Sequence, residues 1–236
     1  MTSAVLLDFY GTLARAVTWG TPFEDVFARR GFQLDRDLWA RAGEEAVFDG
    51  QEHVEHSSTR EQYVAWEIER LRRRVTACGV GAADVEPLVA ELYAESKTFT
   101  LEAYEEVPEV LDDLRRRQVL VAVCSNWDWD LDRALAQTGL TDLVDVVVTS
   151  AQAGARKPHP RIYRHTLDLC RVSPADAVFV GDTWGPDVEG PLAAGLRPVH
   201  VCRNGASDVA TEPPPPLIDG VRRFPDLRGV IEVVSS

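Results

Sequence analysis

The sequence predicts an α/β fold, with a doubly wound, five-stranded parallel, Rossmann-like core and an inserted α-helical bundle as a cap. Five short apolar runs carry the first part of that reading: residues 4–7, 119–124, 144–148, 177–180 and 198–202. None alternates apolar with polar, so each suits a strand covered on both faces, as in a parallel sheet. Helical periodicity between the later runs carries the second part. Val110, Leu111 and Leu114 precede the second run, Leu131 and Leu135 follow it, and Ile162, Tyr163, Leu167 and Cys170 precede the fourth. Strand alternating with helix implies right-handed crossovers. The third observation is the long interval after the first run, which holds helical stripes and no convincing strand.

In chain order, run 4–7 opens the core and the interval follows. Its stripes are Phe23, Val26 and Phe27; Leu38, Ala42 and Ala46; Val64, Ile68, Leu71 and Val75; and Val85, Leu88, Val89 and Leu92. Four such helices bury their stripes against one another as a small bundle. The core is therefore expected to comprise residues 1–14 and 104–236, and the cap residues 15–103, with hinges near 15–20 and 98–104. The remaining runs complete the sheet. The proline run at 213–216 reads as an extended surface loop.

A chain of 236 residues with 45% apolar content can build one α/β domain with an insertion, which excludes global disorder. The net charge of −13, from 25 basic and 38 acidic residues, repels nucleic acid and anionic membrane, so neither is an expected partner. An anionic small-molecule substrate would need a local basic or metal-bearing pocket. Cys78, Cys124, Cys170 and Cys202 are far apart and show no metal-ligand spacing. They read as free thiols of a reducing, cytoplasmic compartment. No stretch resembles a signal peptide or approaches the roughly 20 apolar residues of a membrane span. A monomer or homodimer is expected.

Chemistry concentrates where the runs end. In a doubly wound sheet, ligands bind beyond the carboxyl ends of the strands. Asp8-Phe9-Tyr10-Gly11-Thr12 follows the first run, and Gly11 permits a tight turn there. Taken alone, Asp8 serves equally well as a turn-former or a nucleophile. Ser125 and Asn126 end the second run and could bind oxygens of a transferring group, although Ser-Asn is also common turn chemistry. Lys157 precedes Pro158, which disfavours helical geometry at the lysine. Beside carboxylates it would offset their repulsion; most loop lysines are merely solvated. The fourth run leads into Gly181-Asp182-Thr183-Trp184-Gly185-Pro186-Asp187, with two carboxylates on one glycine-bearing loop. Mg²⁺ takes such a pair together with substrate oxygens and waters. Helix capping accounts for Asp187 but not for Asp182.

Each signal is modest; their order, each at its own strand end, is not. Together they closely resemble the haloacid dehalogenase superfamily of hydrolases over essentially the whole chain. By that resemblance Asp8 is the nucleophile, and Thr12, Ser125, Asn126 and Lys157 bind the transferring group. Asp8, the Tyr10 carbonyl, Asp182 and Asp187 would hold Mg²⁺. Pro191 is unusual in the helix after the fourth motif, which is expected to start late or bend.

One position departs from the pattern. The family's phosphatases usually carry a second aspartate two residues after the nucleophile, as acid and then base; here it is Tyr10. Such a proton donor typically contributes ~10²–10⁴-fold. Tyr10 matches instead the superfamily's 2-haloacid dehalogenases, which displace halide without metal. Asp182 points the other way, because three clustered acids with only Lys157 to offset them repel strongly without a cation. The favoured reading is a Mg²⁺-dependent phosphohydrolase acting on a small phosphorylated metabolite. The alternatives are a dehalogenase, with Arg15, Arg41 or Arg60 holding the substrate carboxylate, and a weakly active or non-catalytic binding relative. His53 and His56 are the cap residues able to replace the missing acid, although solvated loop histidines are common. Trp19, Trp127, Trp129 and Trp184 all flank motif residues, as an aromatic pocket wall or as core.

Overall fold

The computed structural model describes residues 2–43, 59–203 and 215–235. His53, His56, Ala46 and the first half of the proline run lie outside the described residues. Along the chain, β1 (Ala4–Leu7) leads through a short loop into β2 (Ala14–Trp19). Four helices follow: α1 (Phe23–Arg29), α2 (Arg36–Gly43), α3 (Arg60–Ala77) and α4 (Ala82–Ser96). The chain returns through β3 (Phe99–Ala103) to α5 (Val107–Arg116), β4 (Leu120–Ser125), α6 (Leu131–Thr138) and β5 (Val146–Thr149). Then come α7 (Ser150–Ala153), α8 (Pro160–Cys170), β6 (Ala177–Gly181) and a π-helical turn, Gly185–Glu189. The last elements are α9 (Gly190–Ala193), β7 (Arg197–Val201), β8 (Arg222–Phe224) and α10 (Gly229–Val234).

Among the described residues the main sheet has the order β5-β4-β1-β6-β7-β8, and every pairing in it is parallel. The five expected strands are all present. A sixth, β8, extends the sheet beyond the five-stranded expectation; Arg222-Arg223-Phe224 is too short and polar to announce itself. Every residue of β1 is buried. Val5 and Leu7 pack with α5, α6 and α10, while Ala4 and Leu6 pack with α8 on the other face. That two-sided burial is why the run shows no alternation. β1 lies between β4 and β6, so the chain crosses to opposite sides of it and opens a crevice at its carboxyl end.

The interval after β1 is not wholly helical. β2 and β3 form an antiparallel ribbon from Ala14↔Ala103 to Trp19↔Phe99, with an irregularity between Ala16 and Thr18. The ribbon escaped the sequence because its outward side chains are exposed. Beyond it the four helices share a second apolar cluster: Val26 and Phe27 from α1, Leu71 and Val75 from α3, and Val85, Leu88, Val89 and Leu92 from α4. The described part of the second expected stripe is not buried. Leu38 is exposed and α2 has no buried residue; Trp39, one position on, packs instead against Phe23 and Phe27.

The chain around Pro191 also differs from a simple late start. Residues 185–189 adopt a π-helical turn that runs directly into α9. A proline ring collides with the carbonyl four residues earlier, here that of Asp187, and a widened turn relieves the collision. No helix among the described residues is long and apolar enough to cross a membrane.

Candidate active site

Four strand ends converge on the crevice above β1. Asp8 continues β1, its N–H donating to the Val180 carbonyl of β6 at 2.9 Å. Lys157 sits beyond α7, next to a cis peptide at Pro158. Its Nζ donates to Asp8 Oδ1 and to Asp187 Oδ1, each at 2.7 Å, and its side chain is only 2% exposed. The Ser125 hydroxyl donates to the same Asp8 oxygen at 2.9 Å. A buried carboxylate is thus held by two donors on one oxygen, Oδ1.

Asn126 supports the lysine. Its Oδ1 accepts the Lys157 N–H at 2.7 Å, and its Nδ2 donates to the Lys157 carbonyl at 3.0 Å. Both amide atoms therefore grip the lysine backbone. Thr12 is fully buried; its hydroxyl reaches Asp182 Oδ1 at 3.4 Å, so it orients an acid. Gly11 has φ +87°, and a Cβ there would stand 2.3 Å from Asp182 Oδ2. Only glycine allows the loop after β1 to lie against this acid. Gly181 plays the same part for Asp187, whose Cγ is 2.3 Å from where a Cβ would stand. Asp187 Oδ2 in turn accepts the Thr183 N–H at 2.9 Å.

One carboxylate oxygen each from Asp8, Asp182 and Asp187 fall within 4.8 Å of one another. Lys157 is the cation in direct contact with Asp8 and Asp187. Burial raises the pKa of Asp182, helped by the charges of Asp8 and Asp187, to about 7. Burial likewise raises Asp187 to about 6, against the opposing pull of Lys157. For Lys157, burial acts downward, but the carboxylates of Asp187 and Asp8 outweigh it and hold the ammonium above its ordinary range. The cluster carries more negative charge than its lysine balances. An all-oxygen donor set with surplus negative charge is what a hard divalent cation requires, so the residues present fit Mg²⁺.

A supporting layer was not legible from the motifs. Arg203, just past β7, donates to the Thr12 carbonyl at 2.8 Å and pairs with Glu106 at 2.7 Å, with both side chains under 10% exposed. Its guanidinium also lies 3.6 Å from the centroid of the Tyr104 ring. Arg223 Nε donates to His200 Nδ1 at 2.8 Å, which leaves His200 Nε2 to donate to the Asp182 carbonyl at 3.0 Å. His200 and Arg203 lie in and just past β7, and Arg223 lies in β8; the one sequence signal among them is the position of Arg203 after a predicted strand.

The remaining expectations scatter. Arg15 pairs with Glu102, Arg60 with Asp130, and Arg41 donates to the Asp37 carbonyl. The four tryptophans do not gather into one wall. Trp127 packs edge-on against Phe9 and Phe99, Trp129 lies near Tyr63, and Trp184 lies against His200. Trp19, which is half exposed, packs on Tyr10 with ring centroids 5.4 Å apart. Contacts also join the helices to the strand ends. Arg60 forks onto Asp130, and Lys97 bridges Glu67 and Asp128 at 2.9 and 2.7 Å.

Comparison with known proteins gives this geometry a family. The family described as haloacid dehalogenase-like hydrolase matches residues 2–195. Haloacid dehalogenase-like hydrolase domain-containing protein 3 of Bos taurus is 34% identical over 134 residues, 56% of this chain and 53% of that protein. N-acylneuraminate-9-phosphatase of Rattus norvegicus is 31% identical over 162 residues, 66% of this chain and 65% of that protein. The matched region thus spans about half to two thirds of the curated relatives. Among solved structures, a 2-haloacid dehalogenase from Pseudomonas syringae superposes with a TM-score of 0.70 at 19% identity, covering 100% of this chain and 99% of that one; at such identity the likeness concerns the fold. On the extent of the family match, the chain belongs to the haloacid dehalogenase-like hydrolases.

Proposed function

We propose that this protein is a Mg²⁺-dependent phosphohydrolase that acts on a small phosphorylated metabolite through an aspartyl phosphate at Asp8. The observation that carries the reading is the surplus of carboxylate charge at Asp8, Asp182 and Asp187 over Lys157. Halide displacement has no use for a half-buried acid at position 182 beside two other carboxylates; phosphoryl transfer with a divalent cation does. Relatives with phosphatase names support the same reading: the N-acylneuraminate-9-phosphatase above and a phosphoserine phosphatase of Thermus thermophilus, 34% identical over 137 residues.

In this mechanism Asp8 attacks phosphorus in line with the departing oxygen. Lys157 and Ser125 hold the nucleophile by one oxygen, Oδ1, which leaves Oδ2 to attack. Lys157 also offsets charge on the transferring group, as preorganised cations do. Asn126 fixes the lysine backbone, Thr12 orients Asp182, and Arg203 anchors the loop that carries Tyr10 and Thr12. Mg²⁺, held by Asp8, the Tyr10 carbonyl, Asp182 and Asp187, would act as a Lewis acid toward the phosphoryl oxygens. With Tyr10 in place of an aspartate, no carboxyl stands at that position to protonate the leaving group, so substrates with good leaving groups suffer least. We assign residues 15–103 to a cap that closes over the site, with the β2–β3 ribbon at its hinge. The four unpaired thiols support a reducing, cytoplasmic setting.

A dehalogenase remains the second reading because of Tyr10, although Arg15 and Arg60 are engaged with acids elsewhere. One panel separates the two: phosphate release from acetyl phosphate, 4-nitrophenyl phosphate and sugar phosphates, with Mg²⁺ or chelator, beside chloride release from 2-chloropropionate. Mg²⁺-dependent phosphate release is expected. Chelator-insensitive halide release would overturn the assignment, and Mg²⁺ binding without turnover would make the protein a binding relative.

A further inference from the structure

Trp19 is an indole left 52% exposed at the end of β2, with the rings of Tyr10 and Phe99 beside it. Trp19 is five residues along the ribbon from Ala14, which at about 3.3 Å per residue is roughly 17 Å of strand. Ring centroids of Tyr10 and Trp19 are nevertheless 5.4 Å apart, with planes inclined at 52°. Tyr10 therefore turns its ring toward Trp19 on the ribbon while also packing against the core cluster of the main sheet. Phe99, paired with Trp19 across the ribbon, backs the indole at 6.1 Å.

This direction matters for the substrate. Below Asp8 the site is closed by buried Ser125, Lys157 and Asp187. A phosphoryl group therefore reaches Asp8 from beyond the strand ends, and in-line attack sets the leaving group on the far side of phosphorus. Tyr10 is two residues after Asp8 on the loop that leaves β1 and is half-buried, so its ring and that of Trp19 stand beside this loop, at the position where the family's phosphatases carry a proton donor.

We propose that Tyr10 and Trp19 form a subsite for an aromatic leaving group, so that the substrates are aryl phosphate monoesters; this rests on the phosphohydrolase reading. Asp8 forms a bond to phosphorus as the bond to the aryl oxygen breaks. The leaving group departs as a phenolate carrying the bonding pair, and takes its proton from solvent. Water then cleaves the aspartyl phosphate to phosphate and regenerates Asp8. Stacking supplies recognition, and the acidity of a phenol removes the need for a carboxyl at position 10.

The test compares 4-nitrophenyl phosphate with acetyl phosphate, which also has a good leaving group but no ring, in magnesium chloride. Trp19→Ala should lower the ratio of their kcat/KM values roughly tenfold, and Trp19→Phe should keep it within about threefold, as expected for loss and retention of an aromatic contact. In the wild-type protein, phenylphosphonate should inhibit acetyl phosphate turnover about tenfold more tightly than methylphosphonate. A parallel fall in both rates for Trp19→Ala would make Trp19 structural and overturn the subsite. Should that variant not fold, equal inhibition by the two phosphonates overturns it in the wild type. If neither 4-nitrophenyl phosphate nor acetyl phosphate is hydrolysed, the phosphohydrolase reading fails and takes the subsite with it. If both are hydrolysed without aryl discrimination, the subsite alone falls.

Discussion

Removing divalent cations should make this protein less stable as pH rises through neutrality. Asp182 and Asp187 are raised in the folded state, to about 7 and about 6. A carboxyl raised on folding binds more protons folded than unfolded, so its contribution is fully present below the unfolded value of about 4 and is lost as pH climbs through the folded one. For Asp182, the two pH units between 5 and 7 at ~1.4 kcal/mol each correspond to about 3 kcal/mol. Carboxylates whose pKa is lowered, such as Asp130 and Glu106, are ionised throughout this window and contribute no slope. His200, lowered by burial, slopes the opposite way below about pH 6.5, so a control is required. Urea unfolding at pH 5 and pH 8, in chelator, should show wild type losing on the order of 3 kcal/mol more than Asp182→Asn. Mg²⁺ should stabilise the wild type more at pH 8 than at pH 5. If the wild type and Asp182→Asn have the same pH slope in chelator, the acids are not in electrostatic conflict and the argument for the cation collapses.

Three further outcomes follow from contacts already described. Lys157→Ala leaves Asp8 and Asp187 buried without their ammonium and should cost about 3–5 kcal/mol at pH 8, read by urea midpoint, with turnover abolished. Arg203→Ala breaks a buried pair with Glu106 and frees the Thr12 carbonyl; it should cost a similar ~3–5 kcal/mol and lower kcat more than it raises KM, because its contact is with the nucleophile loop. Tyr10→Asp should raise kcat/KM toward alkyl phosphates by up to ~10²-fold, with little gain for acetyl phosphate. Equal gains for both in phosphate-release assays would show that position 10 does not govern leaving-group protonation.

The parts of the site that lie in contiguous motifs were legible in sequence because strand ends are where a parallel sheet places chemistry. Asp8, Ser125, Lys157 and Asp187 form one hydrogen-bonded group as a result. Side-chain direction was not legible. Asn126 and Thr12 have the right identities for gripping a substrate, yet their polar atoms are turned to Lys157 and Asp182. Arg203 and His200 were missed since their partners are a backbone carbonyl and residues more than 15 positions away, and no spacing rule encodes such contacts. The ribbon escaped for a different reason. A two-stranded element exposed on one face has no continuous apolar run, and β8 at the sheet edge is as inconspicuous.

That ribbon gives the chain a hairpin with an unusually large tip. Ala14 and Ala103 are partners in register although 89 positions apart, and Trp19 and Phe99, 80 positions apart, are partners at the other end. Everything between Trp19 and Phe99 is, for the main sheet, interchangeable with a tight turn. A helical module with its own apolar cluster can therefore be enlarged, replaced or deleted without disturbing the order of the six parallel strands. The residues of the acidic cluster stay with the sheet, and on the proposed reading of the inserted helices as a cap, substrate selection can diverge at the tip.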